Sequence, residues 1–117
     1  MSSTVELLRK ARDLIEQKGW TRGAYARTAG GTPVPVHDPD ACRFCSVGAL
    51  IRASLDTPES SQEEYDTARR LFVRQIKSFA SDDTVIPAWN DAPSRTVFDV
   101  LAAFDRAVQD AEKEIPA

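Results

Sequence analysis

The sequence predicts a mainly α-helical fold: a compact four-helix single domain, residues 1–117, with a small β-hairpin between helices 1 and 2. Three observations carry this. Apolar residues recur at helical spacing in four segments, with charged residues between them. The stretch 23–36 breaks that period and holds three of the five glycines and two prolines. The length of 117 residues suits one hydrophobic core, which needs neither a disulfide nor a metal to fold.

Residues 4–18 read as the first helix. Leu7, Leu8, Ala11, Leu14 and Ile15 make one apolar stripe, and Arg9, Arg12, Asp13 and Glu16 lie on the wet face. Ser3 with Glu6 is a capping-box pattern, and Gly19 after Lys18 is a natural stop. Trp20 follows at once and is expected to fold back on the last turn, as core packing or as the wall of a binding pocket. The segments 23–28 and 32–36 are expected to pair about an Ala29-Gly30-Gly31 turn. Pro33 and Pro35 restrict the returning segment to a sheet edge or an irregular extended path. Residues 37–40, His-Asp-Pro-Asp, form a loop.

The second helix starts at Cys45 or Ser46, with Val47, Leu50, Ile51 and Ser54 on one face. Gly48 inside its first turns costs about 1 kcal/mol against alanine. Its expected reason is the close approach of another backbone, or of Trp20 or Trp89; a bound ligand is the alternative. A break at 56–60 precedes a capping box, Ser60 with Glu63 or Ser61 with Glu64. The helix that follows, 61–80, turns Tyr65, Ala68, Leu71, Phe72, Gln75, Ile76 and Phe79 inward. Its outer face carries Arg69, Arg70, Arg74 and Lys77, either solvated or a dock for an acidic partner. Ser81-Asp82-Asp83 ends it, and 85–89 read as an apolar connector. Asp91, Ser94 or Thr96 caps a last helix that runs to about Glu114 on a stripe of Val97, Val100, Leu101, Phe104, Val108 and Ala111.

Fifteen basic against eighteen acidic residues give a net charge of −3, which argues against a dedicated nucleic-acid binder. No apolar run reaches the roughly 20 residues of a membrane span, and no secretory signal is visible. A cytoplasmic protein without membrane association is therefore expected, with its two cysteines as thiols, metal ligands or redox groups rather than a structural disulfide. There is no P-loop, dinucleotide glycine fingerprint or zinc helix, and no cofactor is expected.

Cys42-Arg43-Phe44-Cys45 holds the distinctive chemistry. A helix-start cysteine gains thiolate character from free N–H groups and the helix dipole, as in redox proteins, but those place it in a βαβ setting not found here. His37, Cys42 and Cys45 could supply three ligands to a structural zinc, which wants four. Cys45 could act as a nucleophile with His37 as base and Asn90 or Asp91 in support. Against these stands the reading of both cysteines as buried small hydrophobes. Trp89-Asn90-Asp91 is either a polar pocket beside an aromatic wall, or core packing with Asn90 bonding its own turn and Asp91 capping the last helix.

Gly19-Trp20, Cys45-x-x-Gly48-Ala49-Leu50 and Trp89-Asn90-Asp91, with Arg95-Thr96 and a closing amphipathic helix, resemble a family of small bacterial and phage-encoded proteins classed as a domain of unknown function. The resemblance runs from about Leu7 to Ala111. It implies no activity. It puts Cys45, Gly48, Trp89, Asn90 and Asp91 in the shared pattern, makes Cys42 less characteristic and leaves His37 out. Phage occurrence implies an accessory or host-interaction role.

The expected function is a small non-enzymatic binding or accessory protein in the cytoplasm, phage- or host-defence-related, acting by protein–protein contact or self-association. The alternatives are a cysteine-centred enzyme or thiol redox site, with Cys45, Asn90 and Asp91 as the catalytic set flanked by Trp20, Gly48 and Trp89, and the zinc site.

Overall fold

A computed structural model describes residues 3–76 and 85–114. The chain is mainly helical. Helix α1 spans Ser3–Gln17, strand β1 Ala26–Arg27, strand β2 Arg43–Phe44, helix α2 Ser46–Leu55, α3 Gln62–Gln75, α4 Val85–Asn90 and α5 Val97–Glu114.

The apolar stripe of α1 is buried as its spacing requires: Leu7, Leu8, Ala11 and Ile15 lie in the core. Lys18 N–H closes the last turn on Leu14 O at 2.9 Å, and Gly19 then takes φ +147°, which favours glycine. The side chain of Ser3 falls outside the described residues, and with it the expected Ser3–Glu6 cap. Helix α1 packs on α2, α3 and α5, and α3 packs on α5. One buried cluster draws on every helix, with Leu50 and Ala53 from α2, Leu71 and Phe72 from α3, Ile86 from α4 and Phe104 from α5. Phe72 sits at its aromatic centre, edge-on to Trp89 at 5.7 Å and tilted against Phe104 at 4.4 Å.

The small antiparallel sheet lies between α1 and α2, but its second strand is not the one the turn signals suggested. β1 pairs with β2, Ala26 opposite Phe44 and Arg27 opposite Arg43. The segment 32–36 reaches β1 at a single bridge, Arg27 to Pro33, with Thr28 N–H on Thr32 O at 2.9 Å and Val34 N–H on Ala26 O at 3.1 Å. β1 is thus engaged on both edges: Ala26 and Thr28 bond to residues 32–34, while the Tyr25 and Arg27 carbonyls accept Cys45 N–H and Cys42 N–H on the side of β2. Phe44 is also held from its other edge, where its N–H reaches Gly19 O and its carbonyl receives Thr21 N–H.

The expected connector at 85–89 is instead helix α4, which brings the helices among the described residues to five. Pro87 lies in its first turn, where a missing N–H costs nothing, and Asp91 N–H closes on Pro87 O at 2.9 Å. Six residues are too few to show a stripe. Of the candidate caps, Ser61 and Glu64 form the capping box of α3, and Thr96 starts α5 with a reciprocal pair to Asp99 at 3.2 and 3.0 Å. Phe79, Lys77 and Ser81-Asp82-Asp83 lie outside the described residues. Among those residues no helix is long and apolar enough to cross a membrane.

Candidate functional site

Three chain segments meet at the start of α2: residues 19–25 after the first helix, Cys45–Gly48, and the end of α4 at Asn90-Asp91. Gly48 is where two backbones touch. A Cβ placed on it would lie 2.0 Å from Tyr25 O, and that same carbonyl accepts Cys45 N–H at 3.2 Å. Of the reasons expected for this glycine, the close approach of another backbone is the one found, from Tyr25 rather than from either tryptophan.

Cys45 is the N-cap of α2. Its Sγ accepts Gly48 N–H at 3.3 Å, doing with sulfur what a serine hydroxyl does in most caps. The residue is 3% exposed. Burial pushes the thiol above its ordinary value; hydrogen bonds from Gly48 and Val47 N–H offset part of this, and the charge of nearby Asp91 adds to it. The thiol is therefore protonated at neutral pH, the reverse of what a helix-start nucleophile needs. Cys42 is a free, half-buried thiol. His37 is exposed, and among the described residues no group of three or more His, Cys, Asp or Glu side chains comes together as a metal would require. His37, Cys42 and Cys45 are accordingly not assembled into a ligand set.

Asn90 is the hub. It is fully buried, and each of its polar atoms is engaged. Oδ1 accepts from Trp20 Nε1 at 2.8 Å, Ser46 N–H at 3.0 Å and Ser46 Oγ at 2.8 Å. Nδ2 donates to Thr21 O and to Asp91 Oδ1, both at 3.0 Å. Three donors on one side and two acceptors on the other fix the orientation of the amide. Asp91 Oδ1 also accepts Gly23 N–H at 3.1 Å. The carboxamide thus bonds across the fold rather than within its own turn, and Asp91 holds the 20s segment rather than capping α5. Both donors and the acceptor of Asn90 are spent, so no capacity remains there to polarise or orient a substrate.

Both tryptophans flank this network. Each is half-buried and each has a guanidinium on its ring: Arg22 over Trp20 at 4.9 Å and Arg95 over Trp89 at 4.0 Å. Arg95 Nε also donates to Trp89 O at 2.9 Å, and Arg22 donates to the Arg95 carbonyl. The two pairs therefore form one continuous face. Tyr25, half exposed, lies in the same 20s segment and lines a groove of about 340 Å³ with Val47, Ile51, Tyr65 and Arg69.

Cys45, Asn90 and Asp91, with Trp20, Gly48 and Trp89, form the candidate site expected from sequence, and the structure brings the six residues together. Ser46, Arg22 and the Tyr25 carbonyl escaped it. Ser46 reads only as a possible helix start, Arg22 belongs to no motif, and a backbone carbonyl leaves no trace in residue type.

The chain belongs to a family of unknown function (DUF6197), whose profile matches residues 1–110. No curated protein and no solved structure matches it.

Proposed function

We propose that this member of a family without an assigned activity is a docking module for another protein, with no chemistry of its own. The observation that carries the reading is the Trp20–Arg22–Arg95–Trp89 face. Tryptophan and arginine are the residue types that dominate binding energy at protein interfaces. Here both tryptophans of the chain are partly exposed at one junction; Asn90 holds the Trp20 indole and Phe72 packs edge-on against Trp89, so little ordering cost is left for association. Tyr25, half exposed in the same 20s segment, adds a further aromatic. The buried, protonated Cys45 and the fully bonded Asn90 speak for architecture rather than catalysis at the junction beneath. A cytoplasmic, phage- or host-defence-related setting belongs to the same proposal.

The test is position-specific cross-linking. A photo-cross-linking residue is placed at exposed Ser94, next to Arg95, and as a control at exposed Gln109 on α5. A protein trapped from Ser94 and not from Gln109, then shown to bind saturably as a purified pair, supports the reading. Adducts that are the same from both positions, or none from Ser94, refute it.

A further inference from the structure

Eight of the eleven arginines fall into two groups; of the other three, Arg69 and Arg70 lie on α3 and Arg106 on α5. Arg9, Arg12, Arg52 and Arg74 each lie against a carboxylate: Glu112, Asp105, Asp56 and Asp110. Arg22, Arg27, Arg43 and Arg95 have no carboxylate partner among the described residues. These four are neighbours. Arg27 Nη2 donates to Arg22 O at 3.2 Å, Arg22 to Arg95 O, and Arg27 stands directly opposite Arg43 in the β1–β2 pair. The Arg43 stem lies along Gly19, where a Cβ would come within 3.1 Å of its Cγ.

Like charges directly opposite one another in a ladder weaken it, and a strand of two residues has little to spare. The acidic residue built into this region, Asp91, spends Oδ1 on Gly23 N–H and Asn90, with no guanidinium on it. A chain of net charge −3 thus concentrates four uncompensated guanidiniums around residues 19–27 and 95, beside its two tryptophans.

We propose that this face takes an acidic segment of the protein partner, with side-chain carboxylates received by Arg22, Arg43 and Arg95 and with Arg27 adding positive charge from behind. The proposal rests on the docking reading and names its chemistry. The guanidinium fork matches a carboxylate in two-point geometry. An acidic peptide is favoured over nucleic acid because the patch is small and the rest of the surface is net negative, which repels an extended polyanion.

The experiment titrates the full chain with three probes: a labelled Glu/Asp-rich peptide of about twelve residues, its Gln/Asn counterpart, and a single-stranded oligonucleotide of equal charge. Peptide anisotropy and the fluorescence of Trp20 and Trp89 are followed together. Saturable binding of the acidic peptide is expected, with a change in tryptophan emission, no binding of the neutral peptide, and several-fold weakening as salt screens the charges. Arg22→Ala and Arg43→Ala, both at exposed positions, are each expected to weaken binding about 3- to 10-fold, at the scale of a charge-assisted contact. Arg22→Lys should recover part of the loss. Arg70→Ala, on the outer face of α3, should change nothing. Absence of acidic-peptide binding, binding indifferent to Arg22 and Arg43, or tighter binding of the oligonucleotide through the same arginines overturns the proposal. A partner still cross-linked from Ser94 in that event keeps the docking reading and removes its acidic chemistry.

Discussion

Gly48→Ala is a sharp test of how α2 is seated. In an ordinary helix the change is favourable by about 1 kcal/mol. Here the new methyl would sit 2.0 Å from Tyr25 O and 2.9 Å from its carbon, with α2 backbone on one side and the residue that leads into β1 on the other. Ordinary contact needs the carbonyl to retreat by about 1.5 Å. That movement breaks the Cys45 N–H bond to the same oxygen, now 3.2 Å, and disturbs the adjacent Ala26–Phe44 pair. Forced backbone displacement costs about 1–3 kcal/mol and the lost hydrogen bond about 1 kcal/mol. After the helix-propensity gain, a net loss of about 1–3 kcal/mol remains. At this chain length that is a fall in Tm of about 4–12 °C. Urea and thermal unfolding followed by far-UV circular dichroism would read it. Gly30→Ala is the control: its Cβ would meet nothing nearer than Thr28 Oγ1 at 3.9 Å, so a change within about 0.5 kcal/mol is expected. A Gly48→Ala protein as stable as the parent would show that the contact with Tyr25 does not constrain the fold.

Further outcomes follow from the same junction. In the native protein a thiol reagent at pH 8 should modify Cys42 first and Cys45 only at the rate of unfolding; rapid native modification of both would restore Cys45 as a reactive group. Because folding raises the Cys45 pKa, the neutral thiol's contribution is complete below the unfolded value and is lost as pH rises through the folded one. The parent should therefore lose stability in the alkaline range relative to Cys45→Ser, a comparison made by unfolding at pH 7 and pH 10. Asn90→Ala strands Trp20 Nε1, the Ser46 donors and Thr21 O, and is expected to cost about 3–5 kcal/mol, the sum of a few buried unpaired groups; a loss under about 1 kcal/mol in equilibrium unfolding would contradict the hub. Thr96→Ala should remove about 1 kcal/mol through the α5 cap, with no effect on acidic-peptide binding.

The parts legible in sequence were those set by local chemistry. The α1 and α5 stripes, the Gly19 stop and the Ser61–Glu64 cap each need only a few neighbouring residues, and all were readable. The α4 helix was hidden because six residues with a proline look extended, while a first-turn proline is harmless once the turn forms. The partner of β1 was hidden because Thr32–Val36 follows the turn at once and has the right residue types. The two segments do not compete: residues 32–34 take the edge of Ala26 and Thr28, and the distant Arg43-Phe44 takes the opposite edge, which nothing local announces. At the site, residue types singled out Cys45 and Asn90 as candidate chemistry. Their roles as sulfur cap and carboxamide hub depend on burial and on bonds spanning up to 70 residues, which spacing cannot encode.

Those spans bear on how the chain is made. During synthesis the first two helices and β2 leave the ribosome well before Val85–Asn90. Until that segment arrives, Cys45 Sγ caps Gly48, but the Ser46 donors, the Trp20 indole and the Thr21 carbonyl have only water. An N-terminal fragment ending near residue 76 is thus a half-closed lock: its helices can form, yet the carboxamide that fastens the 20s segment to α2 is still in the exit tunnel. Completion of the native junction must be a late event of biosynthesis, and a nascent chain stalled before Asn90 would present its indole and arginines loosely held.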